Sequence, residues 1–200
     1  MKFSYDSDEV KEIGEATFEL IDQPKYYPDK HKIVYTDSRV RWLVPIHSTL
    51  NFFECEIISK GETGRCIWIG IGQLPESYDS RYHYYATVLG CRIDNGHVHR
   101  GYVCGEPEEC ANFAAKLQVS YSEGDRFGCG VDFECHSDFM DVFFVKNGMQ
   151  IGDLIRCKKP SYDLCPIMGM GEVGEKIRFL KHCYQPSLRS VSCAHTHIIL

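Results

Sequence analysis

The chain has 200 residues, 44% hydrophobic and 25% charged, which is the composition of a globular domain able to bury a core without disulfide or metal staples. Lys and Arg number 22 against 28 Asp and Glu, for a net charge of -6, the wrong sign for a sequence-independent nucleic-acid binder or for docking on an anionic membrane. No apolar run has the length of a transmembrane helix, and the opening Met1-Lys2-Phe3-Ser4-Tyr5-Asp6 lacks a hydrophobic signal core, so the expected location is the cytoplasm or nucleus.

In chain order, residues 1–15 are charged and weakly patterned and read as a flexible arm. Residues 16–181 carry the pattern of one β domain. Phe53, Cys55 and Ile57 alternate with Glu54 and Glu56, as in a half-buried strand. Cys66-Ile67-Trp68-Ile69-Gly70-Ile71-Gly72 is a short apolar run of the kind buried on both faces, which makes Trp68 a core residue. Glu106 to Val119 differs. Pro107 and two acids stand early and Lys116 late, matching the dipole of a short helix near 107–118. Phe127, Cys129, Val131 and Phe133 share one side of a further strand, and Asn147-Gly148 between apolar runs predicts a type I′ hairpin. Leu164 to Met170 and Lys176 to Leu180 supply two late strands, and 182–200 form a tail without a clear period. Many short strands with Gly-rich turns predict an all-β sandwich or barrel. The 11 cysteines are odd in number and irregular in spacing, and read as reduced, mostly buried small hydrophobes.

Six segments in order resemble the SPRY domain family. They are Phe52–Gly61, Ile69-Gly70-Ile71-Gly72, Asp94-Asn95-Gly96-His97, Gly124–Asp132, Phe144–Gly148 with Ile151-Gly152, and Pro166–Phe179 with its Gly174-Glu175-Lys176. The nearest flavour is the RanBPM-like and SOCS-box-associated type. The resemblance implies a bent antiparallel β-sandwich of the concanavalin-like kind and a non-enzymatic protein-interaction module, an adaptor that takes a short peptide segment of a partner in a loop pocket.

It also implies where that pocket lies. Three stretches contribute: Val44, Pro45, Ile46 and His47 before the Phe52 strand; Tyr78, Arg81 and Tyr82 after the Ile69 strand; and Met170, Gly171 and Glu172 before the Glu175 strand. Some relatives carry Val-Trp where this chain has Met170-Gly171, so a large rigid anchor is missing here. Arg81 and His83 would favour an acidic or amide-rich peptide. The expected assembly is a monomer. Alternative readings are a carbohydrate-binding module on a lectin-like sandwich, or a substrate-recruiting adaptor for a ubiquitin ligase. Too few residues follow Ser187 for the helices of a SOCS box.

Other chemistry finds little support in the residues. No Cys-x-x-Cys is present; His97-x-His99 and Cys193-x-His195-x-His197 are the nearest zinc-like spacings. Cys135 neighbours His136 only in sequence, and no phosphate-binding glycine loop precedes a helix. No metal and no cofactor is expected.

Overall fold

The computed structural model describes residues 2–5, 8–22, 27–29, 32–34, 38–47, 51–62, 67–73, 87–93, 96–100, 113–180 and 198–199. Among them every regular element is a strand. These are β1 (Phe3–Ser4), β2 (Val10–Gly14), β3 (Thr17–Leu20), β4 (Tyr27–Asp29), β5 (Lys32–Val34), β6 (Ser38–Trp42), β7 (Phe52–Lys60), β8 (Trp68–Gln73) and β9 (Thr87–Arg92). They continue as β10 (His97–Arg100), β11 (Phe113–Lys116), β12 (Arg126–Asp132), β13 (Phe139–Lys146), β14 (Met149–Lys158), β15 (Leu164–Met170), β16 (Glu175–Phe179) and β17 (Ile198–Ile199). Seven strands form one sheet in the order β1-β6-β15-β8-β9-β10-β11, and eight form a second in the order β17-β14-β13-β12-β7-β16-β3-β2. Pairing is antiparallel throughout, except that β17 runs parallel to β14.

The alternation read from the sequence sets the faces. Phe53, Cys55 and Ile57 of β7 and Phe127, Cys129 and Val131 of β12 point inward, against Ile69, Ile71, Leu89, Cys91 and Met168 of the other sheet. Each such side chain removed from water contributes about 1.5–3 kcal/mol. The β13–β14 hairpin closes at Asn147 and Gly148, with φ of 50° and 79°, the two positive values a type I′ turn requires. Asn147 also braces its neighbours: its Oδ1 accepts the Arg126 N–H at 2.8 Å and its Nδ2 donates to Asp125 Oδ1 at 2.8 Å.

The outward side of the eight-stranded sheet departs from simple alternation. Glu54, expected at a wet face, is 3% exposed. Beside it Gly128 and Gly130 leave room for two rings to lie flat on the sheet. Phe52 covers Gly128 and Phe143 covers Gly130, and the rings stack with centroids 6.0 Å apart and planes 7° apart. With Val145 they form a small cluster separate from the main core.

Three expectations are corrected. Within the segment read as a helix near 107–118, residues 113–116 are β11, paired with β10 through His97↔Lys116 and Val98↔Ala115; residues 101–112 lie outside the described residues. A favourable dipole pattern is a local preference, and sheet pairing outweighs it. The segment read as a flexible arm contains β1 and β2. Phe3 packs edge-on against Phe18 at 4.8 Å, and Tyr5 does so at 5.3 Å. These contacts tie the start of the chain to the core. Phe133 lies just beyond β12 and is only partly buried.

Candidate functional site

Strand direction decides which loops meet. β6 and β15 are antiparallel neighbours, so the segments that follow them open at opposite ends of the sandwich. After β6 the chain turns, and the Ile46 N–H donates to the Leu164 carbonyl at 2.8 Å, at the start of β15. Met170, at the other end of β15, pairs with Ser38. The seven residues of β15 span about 20 Å at about 3.4 Å per residue. The structure therefore does not bring Val44, Pro45, Ile46 and His47 together with Met170, Gly171 and Glu172.

The first end is the more open. Pro45 and His47 are exposed, Val44 is half-buried, and Ile46 is a core residue. Gln73 lies opposite Leu164, and Thr87 opposite Gly72, so the chain between β8 and β9 leaves and rejoins the sheet at this same end. Tyr78, Arg81 and Tyr82 belong to that connection and lie outside the described residues. The turn between β14 and β15 completes the rim. Ser161, Tyr162 and Asp163 are exposed there, and Tyr162 keeps 39% of its surface open. Partial burial holds its phenol above the ordinary value. The Lys159 N–H donates to the Asp138 carbonyl at 2.8 Å, and its ammonium donates to the His136 carbonyl at 2.6 Å. These bonds fix the loop between β12 and β13 to the same rim. Tyr162 was not singled out from the sequence, although a lone aromatic in the polar turn Pro160-Ser161-Tyr162-Asp163 is the signal that marks it.

The second end is built for rigidity. Met170 is wholly buried in the core. Gly171 and Glu172 are half-buried, and their N–H groups donate to Glu175 Oε2 at 2.8 and 3.1 Å. Glu175 is itself buried. A buried carboxylate clamping two amides holds a turn in one shape. It leaves little there for a ligand beyond the exposed Val173.

The thiols of Cys129, Cys135 and Cys165, among the described residues, are poorly suited to nucleophilic chemistry. Burial pushes the Cys129 thiol well up, reinforced by Cys91, Cys157 and Cys55. Burial likewise pushes Cys165 up to about 12, against a smaller opposing pull from Arg41. Cys135 is exposed, but partial burial and the nearby Asp141 raise its thiol too. Its Sγ donates to the Asp132 and Phe139 carbonyls, while His136 accepts the Asp138 N–H instead. A reactive cysteine needs its thiolate stabilised, and these surroundings do the opposite. Among the described residues no group of three or more His, Cys, Asp or Glu is placed to hold a metal ion.

Comparison with known proteins agrees with the architecture. The SPRY domain family model matches residues 51–183. The crystal structure of a human SPRY domain superposes with a TM-score of 0.58 at 20% identity, covering 90% of this chain and 96% of that one. The SPRY domain of human HERC1 gives 0.50 at 16% identity, over 88% and 96% of the two chains. The PSpry domain of TRIM65 gives 0.50 at 9%, over 91% and 93%. A search of curated proteins found no match. With the motifs in order, the two sheets in place and the family model matched over more than half its length, the chain belongs to the SPRY domain family.

Proposed function

We propose that this domain binds an extended segment of a partner protein at the end of the sandwich that carries Pro45, His47 and Tyr162. SPRY domains are in general non-enzymatic protein-interaction modules. The observation that carries the reading is the Ile46–Leu164 hydrogen bond. It fixes the segment after β6 beside the turn before β15, at the end where the connection bearing Tyr78, Arg81 and Tyr82 leaves and rejoins the sheet. An exposed proline, an imidazole and a half-open phenol ring on a fixed rim offer what a peptide needs: flat apolar contact with few rotors, and polar tips for orientation. The turn at Gly171 and Glu172 stands at the far end and is left out of this site. The reading includes a monomer acting in the cytoplasm or nucleus. The buried free thiols Cys129 and Cys165 suit a reducing compartment. The RanBPM-like flavour rests on the sequence motifs alone.

The test is to select peptides from a displayed random library with the full chain, then measure the affinity of the recovered sequence for variants. Tyr162→Ala and His47→Ala are each expected to weaken binding about tenfold, the effect of losing a contact worth about 1.4 kcal/mol. Glu172→Ala is expected to leave it unchanged. Loss confined to Glu172→Ala would refute the placement. Failure to recover any peptide would refute the peptide reading.

A further inference from the structure

Residues 2–5 lie on the sandwich as a bound peptide would. β1 is the last strand of the seven-stranded sheet and is two residues long. It pairs with β6 through Phe3↔Trp42 and Ser4↔Arg41, and the Leu43 N–H donates to the Lys2 carbonyl at 2.8 Å. The Phe3 ring bridges the two sheets. Its centroid stands 4.8 Å from Phe18 of β3, 5.2 Å from Phe179 of β16 and 6.4 Å from Trp42 of β6. Tyr5 meets the same Phe18 edge-on at 5.3 Å. The rings beneath also pack on one another: Phe179 lies 6.2 Å from Phe18 and 6.4 Å from Trp42. Phe18 and Phe179 are buried, whereas Phe3 and Tyr5 above them are only partly so and Lys2 is exposed.

This contact has the parts of strand addition, in which backbone bonds join an extended segment to a sheet edge and alternate side chains enter pockets. Side chains two residues apart point the same way from an extended chain, so Phe3 and Tyr5 enter together. The chain is pinned again at Glu9, whose carbonyl accepts the Ile21 and Asp22 N–H groups at 2.8 and 3.3 Å. Lys2–Tyr5 can therefore leave while β2 and β3 stay paired. A two-residue strand at a sheet edge belongs to the part of a structure that opens most readily. Its departure uncovers the β6 edge and the rings of Phe18, Trp42 and Phe179, a groove whose fit to an aromatic-x-aromatic segment the strap itself displays.

We propose that this groove is a docking site for an extended protein segment with aromatic side chains two residues apart, and that Lys2–Tyr5 fills it in cis as a displaceable strap. The site is separate from the loop end and does not rest on recognition there. A segment tethered by a short linker is present at an effective concentration of about millimolar, so a partner of the same pattern binds tightly only once the strap is out. The test uses the full chain carrying Phe3→Ala and Tyr5→Ala together, with a synthetic peptide of residues 1–8 as the probe. The peptide is expected to bind this variant at least about tenfold more tightly than the wild type, moving the Trp42 indole and Leu43 amide resonances. The same peptide with both aromatics replaced by alanine is expected not to bind. Equal affinity for variant and wild type, or no binding to the folded variant, would overturn the proposal. Hydrogen exchange on the unmodified chain tests it without any substitution. The Leu43 amide is expected to exchange about a hundredfold faster than the Phe179 amide, which donates to the Ala16 carbonyl at 2.9 Å. Equal protection of the two amides would show that the strap does not open, and would also overturn it.

Discussion

Replacing Gly130 with alanine tests the stacking of Phe143 on the sheet directly. A Cβ built on Gly130 would stand 2.6 and 2.7 Å from Cε2 and Cε1 of Phe143, and closer still to Cζ. Ordinary carbon contacts lie at about 3.5–4.0 Å, so the ring must lift by roughly an ångström. Phe143 is 4% exposed and stacked on Phe52, which leaves it nowhere to go without losing that stack, worth about 0.5–1.5 kcal/mol. Overpacking of this kind costs about 1–3 kcal/mol. The lower backbone entropy of alanine recovers roughly 0.5 kcal/mol. The expected net loss is about 2 kcal/mol, read as a lower urea midpoint and a fall in Tm of roughly 4–8 °C for a domain of this size. The decisive comparison is the double-mutant cycle. In a Phe143→Ala background the obstruction is gone, and Gly130→Ala is expected to be neutral within about 0.5 kcal/mol, giving a coupling of about 2 kcal/mol. An equal cost in both backgrounds would show that Phe143 is not what obstructs a side chain at position 130.

Glu175→Ala strands two half-buried amides, those of Gly171 and Glu172, and is expected to cost about 2 kcal/mol in urea unfolding, with faster hydrogen exchange at both. Gly148→Ala forces a side chain into a positive φ and is expected to cost about 1 kcal/mol; Asn147→Ala also loses two hydrogen bonds and is expected to cost about 2 kcal/mol by the same measurement. The Glu54 carboxyl has its pKa raised in the folded state, chiefly by burial, so the folded state holds its proton more tightly than the unfolded chain does. Its contribution to stability is fully present below the unfolded value near 4.5 and is lost as pH rises through the higher folded value. Glu54→Gln is therefore expected to flatten that part of the stability–pH curve and to gain on the wild type toward neutral pH. A parallel pair of curves would contradict this.

What the sequence made legible was periodic. The inward set Phe53, Cys55 and Ile57, the glycine-spaced Phe127–Val131 strand and the Asn147-Gly148 turn each follow from local geometry, and the SPRY motifs placed them in one fold. The misread segments depend on partners distant in sequence. Phe3 and Tyr5 look like isolated aromatics in a charged arm until Phe18 is set beneath them. Residues 113–116 form a strand because β10 offers an edge. Glu54 and Glu56 look alike in an alternating strand, yet Glu54 is buried and Glu56 only half-buried, since the cover each side chain receives is not written in a strand's period. Two of the three pocket stretches lie apart for a simpler reason. Segments that follow two antiparallel neighbours open at opposite ends, so Val44–His47 and Met170–Glu172 cannot meet. That follows from strand order, which short motifs do not carry.

Recognition is proposed at the Pro45, His47 and Tyr162 end of the sandwich. The most direct measurement is a titration of the labelled full chain with a selected peptide, followed by amide chemical shifts. Shifts are expected to concentrate at residues 44–47 and 161–163, with Gly171–Gly174 still. Shifts concentrated at Gly171–Gly174, with residues 44–47 unmoved, would contradict it.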